Sequence, residues 1–468
     1  MSSIETSREL RANVQRAMNA GVSRRALLQS LGLATVAIPI LGACGKGGTV
    51  AAGSGGGGNG KKLTFWNFYG DSGKNDPQSK WFVQLVKDWN ANNDVKVELR
   101  YIPNAEYISG TTLQTAFTAG QGPDIFLVSP GDFLRYANGG ALHDLGSAVT
   151  PAQIADFSNS VLDTRMVKGK LLGLPMEVEP LALYYSIDAF EKAKLSEGDV
   201  PRTWEQLISV GEKLTTKKQF GLVVETTPGY YQNFTWYPFM WQAGGGVVDS
   251  SGKAIFNSKA NQSALQLWGD LTKHGVTPRK AQGTGAGDLP GNLGVGYAAM
   301  QQSGIWSVAQ MAEKLPHLRY SVAPLPIPAG GKASTDMGGW AFCANAKGAN
   351  PTAAAKFVSW AMAGQDAAGI ERMRQWNSVV KTNVPPRKSV SAAVKSAGTW
   401  EKGPLKIFGE QIAPAGRPEP RFPPQVYQPI SDALQAVQLG GIDAATAAGT
   451  AQAAMETFLA GYKGGSII

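Results

Sequence analysis

The chain has 468 residues, 43% apolar and 17% charged, which excludes a disordered polymer and a single small core and points to two domains or two lobes of one fold. Its formal net charge is +9; five Arg and two Glu lie in residues 1–43, so the remainder carries +6, with no Lys/Arg run long enough for a nucleic-acid stripe. Three scattered histidines (His143, His274, His317) and two cysteines (Cys44, Cys343) leave no pattern for a zinc cluster or a disulfide framework.

Residues 1–43 read as an address rather than as part of the fold. Ser23-Arg24-Arg25-Ala26-Leu27-Leu28-Gln29 resembles a twin-arginine export signal. Leu41-Gly42-Ala43-Cys44 resembles a lipobox, which makes Cys44 the lipidation site and the new N-terminus. The apolar stretch between them, Leu31 to Ala43, is shorter than the ~20 residues that span a bilayer and is broken by Gly32, Thr35 and Pro39, against a transmembrane anchor. Two acyl chains on Cys44 would hold the protein stably at the cell membrane, facing outside. Residues 44–62 are Gly-rich and read as a flexible tether, with a reach of roughly 25 Å by flexible-chain scaling.

From residue 62 the pattern becomes that of a folded body. Lys62 to Phe68 reads as a buried strand, Lys80 to Asn92 as a helix, Val95 to Tyr101 as an alternating strand, Ala105 to Ala119 as a helix, and Pro123 to Val128 as a short strand. This β-α-β-α-β order is that of an open α/β sheet, whose ligands sit beyond the carboxyl ends of the strands. Asn67 and the Ser129–Asp132 turn follow two such ends, making Asn67, Ser129 and Asp132 candidate ligand contacts; Asp132 could equally cap the helix after it. Gly173 to Tyr185 is a long extended run whose carboxylates, Glu177 and Glu179, share one strand face by alternation. Thr203 with Gln206 three residues on caps a helix. Tyr230 to Trp241 is crowded with aromatics and contains Asn233 and Trp236 as further candidates, although so many rings cannot all line one surface. Trp306 and Trp340 follow glycine turns, and Arg421 sits in a proline-rich stretch; Cys343 reads as a small buried hydrophobe. The C-terminal remainder is mostly Ala-rich helix.

Several landmarks, in order, are similar to those of the extracellular solute-binding proteins of ABC importers, the sugar-binding family that includes maltose-binding protein. They are Pro123-Asp124-Ile125, Gly139 to Leu145, the Leu-Pro…Glu…Leu-Tyr-Tyr run, Pro201 to Leu207, Ala299-Met300…Gly304-Ile305-Trp306, Gly338-Gly339-Trp340 and Asn350 to Phe357. The resemblance implies an α/β, two-lobed periplasmic-binding-protein-like fold of type II, with a hinge of crossing strands. The expected division is 63–178 with 338–385 for the first lobe and 179–337 with 386–468 for the second. It also implies a monomeric receptor, no cofactor, a small-molecule ligand, and a membrane permease with cytoplasmic ATPases as partner.

The candidate contacts Asn67, Ser129, Asp132, Glu177, Glu179, Asn233, Trp236, Trp306, Trp340 and Arg421 suit a sugar: its hydroxyls need charged and amide partners, and its C–H faces need flat rings. Family matching favours Glu179 over Glu177. A receptor for another polar solute (a polyol, a phosphodiester or a peptide) and an exported glycosidase with two carboxylates remain alternatives. Neither H-E-x-x-H nor G-x-S-x-G occurs.

Overall fold

The computed structural model describes residues 60–109 and 111–467. The calls on the export signal (1–43), on Cys44 and on nearly all of the tether lie outside the described residues.

The first sheet grows from alternation. In β1 (Lys62–Asn67) Leu63 and Phe65 point inward, and the strand pairs in parallel with β2 (Lys96–Tyr101) and with β3 (Ile125–Val128). The helix Pro77–Asn92 connects β1 to β2. Asp76 caps it by accepting from the Ser79 amide at 2.8 Å, Pro77 sits where no intrahelical donor is needed, and Trp81, Phe82, Leu85 and Trp89 form its buried face. β3 is buried along its whole length, the mark of a strand covered on both faces.

The chain then makes the hairpin β4 (Met166–Val167) and β5 (Lys170–Leu171), followed by β6 (Leu174–Pro175) at the edge of the first sheet. Three residues later β7 (Glu179–Ser186) is the spine of a second sheet. It is fully buried and pairs with β9 (Ala298–Gly304) on one side and with β10 (Tyr320–Ala323) and β11 (Thr335–Gly338) in succession on the other; β8 (Phe220–Val223) lies outside β9. After β11 the chain returns through Gly339-Trp340 to β12 (Ala341–Ala344), which inserts between β3 and β6. The orders are β2-β1-β3-β12-β6 in one sheet and β13-β11-β7-β9-β8 in the other, β13 being Gly416–Pro418. Each sheet has its own apolar core, one containing Phe65, Phe342 and Trp376, the other Leu183, Trp236 and Trp268. The molecule is therefore a mixed α/β protein of two lobes joined by crossing segments.

The crossings lie against one another. The Met176 amide donates to the Trp340 carbonyl at 2.9 Å, and Val178 and Val384 exchange both backbone hydrogen bonds. Gly339 is required there: its φ is +123°, and a Cβ would meet the Glu177 carbonyl oxygen at 2.3 Å.

The lobe boundaries expected near the C-terminus need correction. Helix Lys388–Ser396 buries Val390 and Val394 in the first core, and Arg387 pairs with Asp156 at 2.8 Å, so the chain passes to the second lobe after residue 396 rather than at 386. Trp400, in the passage, packs against both lobes. The last residues, expected wholly in the second lobe, come back to the first: the Gly465 amide donates to Asn138 Oδ1 at 2.9 Å. An Ala-rich stretch carries little signal about which surface it covers, which is why the boundary at 386 was misplaced.

The aromatic segment is a helix, Tyr230–Gln242, buried throughout from Gln232 despite Pro238 inside it.

Candidate functional site

A cavity of about 520 Å³ lies between the lobes, within the range of small-ligand sites. The first lobe contributes Phe68 and Tyr69 from the turn after β1, Ser129 and Asp132 from the turn after β3, and Lys381. The second contributes Glu179, Glu225, Trp306 and the N-terminal turn of helix Tyr230–Gln242. Gly339, Trp340 and Glu419 come from the crossing region, where β11 and β13 end.

Five of the expected contacts meet here: Ser129, Asp132, Glu179, Trp306 and Trp340. Ser129 occupies the cap position of helix Pro130–Asn138, yet its hydroxyl makes no cap bond and has no partner. Asp132 is the third residue of that helix, not its cap. It accepts from Arg135 Nε at 2.7 Å and from the Tyr427 hydroxyl at 3.1 Å; burial raises its pKa against the opposing pull of Arg135. Trp340 is half-buried and held edge-on against Phe68, ring centroids 4.7 Å apart, and Trp306 is stacked near Phe234 at 6.5 Å.

Glu179 opens β7. Lys381 donates to it at 2.6 Å and to Glu177 at 2.7 Å. Burial pushes the Glu179 carboxyl up to about 7, against the Lys381 charge and with the help of Glu177. Burial pulls the Lys381 ammonium down, and the two carboxylates more than offset it, leaving it above the ordinary lysine value.

The other five expected contacts do not line the cavity. Glu177 does share a face with Glu179, as alternation requires, but it is fully enclosed by four donors: Lys381, Tyr69 at 3.2 Å, Trp376 Nε1 at 2.7 Å and Asn383 at 2.6 Å. It is a foundation under Glu179. Asn67 accepts from the Tyr69 and Gly70 amides at 2.9 and 2.7 Å and so shapes the turn that presents Phe68 and Tyr69. Asn233 donates to the Tyr427 carbonyl at 2.8 Å between two helices. Trp236 is core, its indole donating to the Ala264 carbonyl at 3.2 Å. Arg421 reaches away to the Met166 carbonyl.

Sequence reasoning chose the wrong members of the aromatic segment. Read as a helix, Tyr230 and Phe234 are four apart and share a face, with Tyr231 beside them, and these three line the cavity. Lys381 and Glu419 were missed because both lie in irregular chain with no periodic signal. Among the described residues no cluster of His, Cys, Asp and Glu suits a metal ion, and no helix is long and apolar enough to cross a membrane.

The cavity thus offers ring faces, buried acceptors and few free donors. Replacing Trp340 by Ala removes the half-exposed ring between the lobes; a molecule that fills the cavity should bind at least tenfold more weakly by calorimetry, with the unfolding midpoint of the free protein moving little, because this ring is not sealed in either core.

Comparison with known proteins places these features in context. The family model described as bacterial extracellular solute-binding protein matches residues 72–364. The arabinooligosaccharide-binding protein of Bacillus subtilis is 27% identical over 317 residues, 65% of this chain and 70% of that one. The galactooligosaccharide-binding protein of the same organism is 25% identical over 405 residues, covering 82% and 86%. Among solved structures, an ABC transporter solute-binding protein from Thermotoga lettingae bound with α-D-tagatose superposes with a TM-score of 0.72 at 23% identity, covering 85% of this chain and 99% of that one. The Thermus thermophilus maltotriose-binding protein gives 0.68 at 22% identity, covering 85% and 100%. The two structures share the two-lobed fold.

Proposed function

Because the chain belongs to the bacterial extracellular solute-binding proteins, a family of binding proteins rather than enzymes, we propose that it captures a sugar or oligosaccharide outside the cell and delivers it to an ABC-type permease. The observation that carries this reading is the cavity between the lobes, where the Trp340 and Trp306 rings stand beside the buried acceptors Asp132, Glu179 and Glu419. A pyranose has two apolar faces and a rim of hydroxyls, and such a wall answers both. The names of the two Bacillus subtilis relatives support the same solute class.

The receptor acts as a monomer, tethered by a diacylated Cys44. Ser129, Asp132, Glu179, Trp306 and Trp340 touch the solute; both lobes supply contacts, so binding favours the closed arrangement by differential affinity. The test is a thermal-shift screen against a broad saccharide panel. A true ligand at a hundred times its Kd stabilises the folded protein by about 2.7 kcal/mol, whereas a panel without any shift removes the sugar assignment.

Anchoring is tested separately. Cys44→Ser should release the protein from the membrane fraction into the medium or periplasm while leaving solute affinity unchanged; retention of the variant in washed membranes would refute lipidation at Cys44.

A further inference from the structure

The floor of the cavity is rich in carboxyl groups. Gly338 of β11 stands opposite Glu179 of β7, and on its other side β11 runs in parallel register with β13, Met337 opposite Pro418, so that Glu419 comes next to Gly338. Registered neighbours project to the same side of a sheet. Glu179, Gly338 and Glu419 therefore form a lateral row, two carboxylates flanking a position without a side chain. Glu419 leans over that bare position: a Cβ on Gly338 would lie 3.0 Å from its Oε2. Its other oxygen lies against Gly131 of the first lobe. Both carboxylates face the cavity and are almost fully buried, Glu179 5% and Glu419 3% exposed.

Cations are few here, and two of the three that line the cavity are engaged. Lys381 is shared between Glu177 and Glu179, and Arg135 is committed to Asp132. Among the described residues no ion pair involves Glu419. The cation facing it is Arg165, whose guanidinium donates to the Gly339 carbonyl at 2.7 Å and to Thr164 at 2.6 Å rather than to Glu419. Of the cavity's charged residues five are acidic (Asp132, Glu179, Glu225, Asp288, Glu419) and three basic (Arg135, Lys314, Lys381), so a solute enters an acid-rich chamber. A neutral hydroxyl needs an acceptor but brings these acids no counter-charge. A protonated amine supplies both a donor and a counter-charge that favours their ionised form, and charge-assisted bonds of this kind are about twice as strong as neutral ones.

We propose that the solute is an amino sugar, or an oligosaccharide bearing one, whose ammonium group seats between Glu179 and Glu419. This rests on the sugar-receptor reading and narrows it. The position of both carboxyls above their ordinary range, through burial first, agrees with a pair awaiting a cation; the Glu177 charge adds to the rise at Glu179 and the Glu179 charge to that at Glu419.

The experiment compares matched ligands on the intact protein by isothermal titration calorimetry: glucosamine and its β-1,4-linked oligomers, the N-acetylated forms of the same sugars, and glucose with cellobiose and its homologues. The free amines should bind at least tenfold tighter than both the acetylated and the hydroxyl counterparts. Glu419→Gln, which keeps size, should erase most of that preference, bringing the free amines to within about twofold of their hydroxyl counterparts. Equal or tighter binding of the neutral sugars overturns the proposal and leaves the sugar-receptor reading standing. Binding of none of these sugars overturns the proposal as well; the broad saccharide panel above then decides on the sugar-receptor reading by itself.

Discussion

Lys381→Met should destabilise the folded protein by about 3–5 kcal/mol at neutral pH, measured as a drop in denaturant midpoint, because it leaves two buried carboxylates without their cation. The side chain is 4% exposed, donates to Glu177 and Glu179 and to the Tyr69 hydroxyl, and lies 4.7 Å from the Tyr69 ring centroid. Methionine fills a similar volume, so the loss is one of charge rather than of packing. The two acids can escape the penalty by taking up a proton. The deficit should therefore shrink markedly at pH 5, and it should shrink at neutral pH when Glu177→Gln is added. A deficit equal at both pH values would mean that the ammonium contributes contacts alone.

The second large effect is a stability curve that falls with rising pH. Glu179 is pushed up to about 7 and Glu419 to about 8 from an ordinary value of 4.5, and fully buried Asp336, with neither oxygen partnered, is raised well above 3.8; burial leads in each case. The charged groups facing these acids are Lys381 and Glu177 around Glu179, Arg165, Asp132 and Glu179 around Glu419, and Arg417 and Glu419 around Asp336. The hydroxyls of Tyr230, Tyr231 and Tyr237 add no charge in this range. Between about pH 4.5 and 8 the unfolded chain has released these protons and the folded chain still holds them. The native state then binds more protons, so stability decreases with pH, by an amount on the order of a few kcal/mol. Carboxylates held low on the surface, such as Asp249 and Asp443, act in the opposite direction but only at more acid pH. Urea midpoints of the ligand-free protein should accordingly peak near pH 5 and decline to pH 8. Glu419→Gln should flatten the upper part of the decline; a wild-type curve that rises over this interval would show these acids ionised in the native state.

What could be read from the sequence was periodic. An apolar run gave β1, alternation gave β2 and the shared face of Glu177 and Glu179, and glycine turns before Trp306 and Trp340 marked rings that line the cavity. Alternation could not say which of the two glutamates is enclosed, because the donors around Glu177 come from residues 69, 376, 381 and 383. Lys381 follows a wide helical turn, Trp376–Val380, and precedes Thr382 at φ +54°, a stretch without any repeat to read. Glu419 stands between two prolines, where only the neighbouring strand reveals its row. In the aromatic segment the crowding of rings hid which of them share a face; the helix puts Tyr230 and Phe234 on one side, and tertiary burial overrides the cost of Pro238 inside it.

The insertion of β12 between β3 and β6 has a consequence for how the protein is made. More than two hundred residues separate the middle strands of that sheet, and the helix that completes the same lobe ends at Ser396. As synthesis proceeds, the first lobe stays without the inner strand β12 until the second lobe's strands through β11 have emerged, while the second still waits for the helices after residue 403. Neither lobe can mature alone from the N-terminus onward. Long-range pairing of this kind slows folding and keeps sheet edges open meanwhile, so the nascent chain depends on being held unaggregated until almost its last residue is in place.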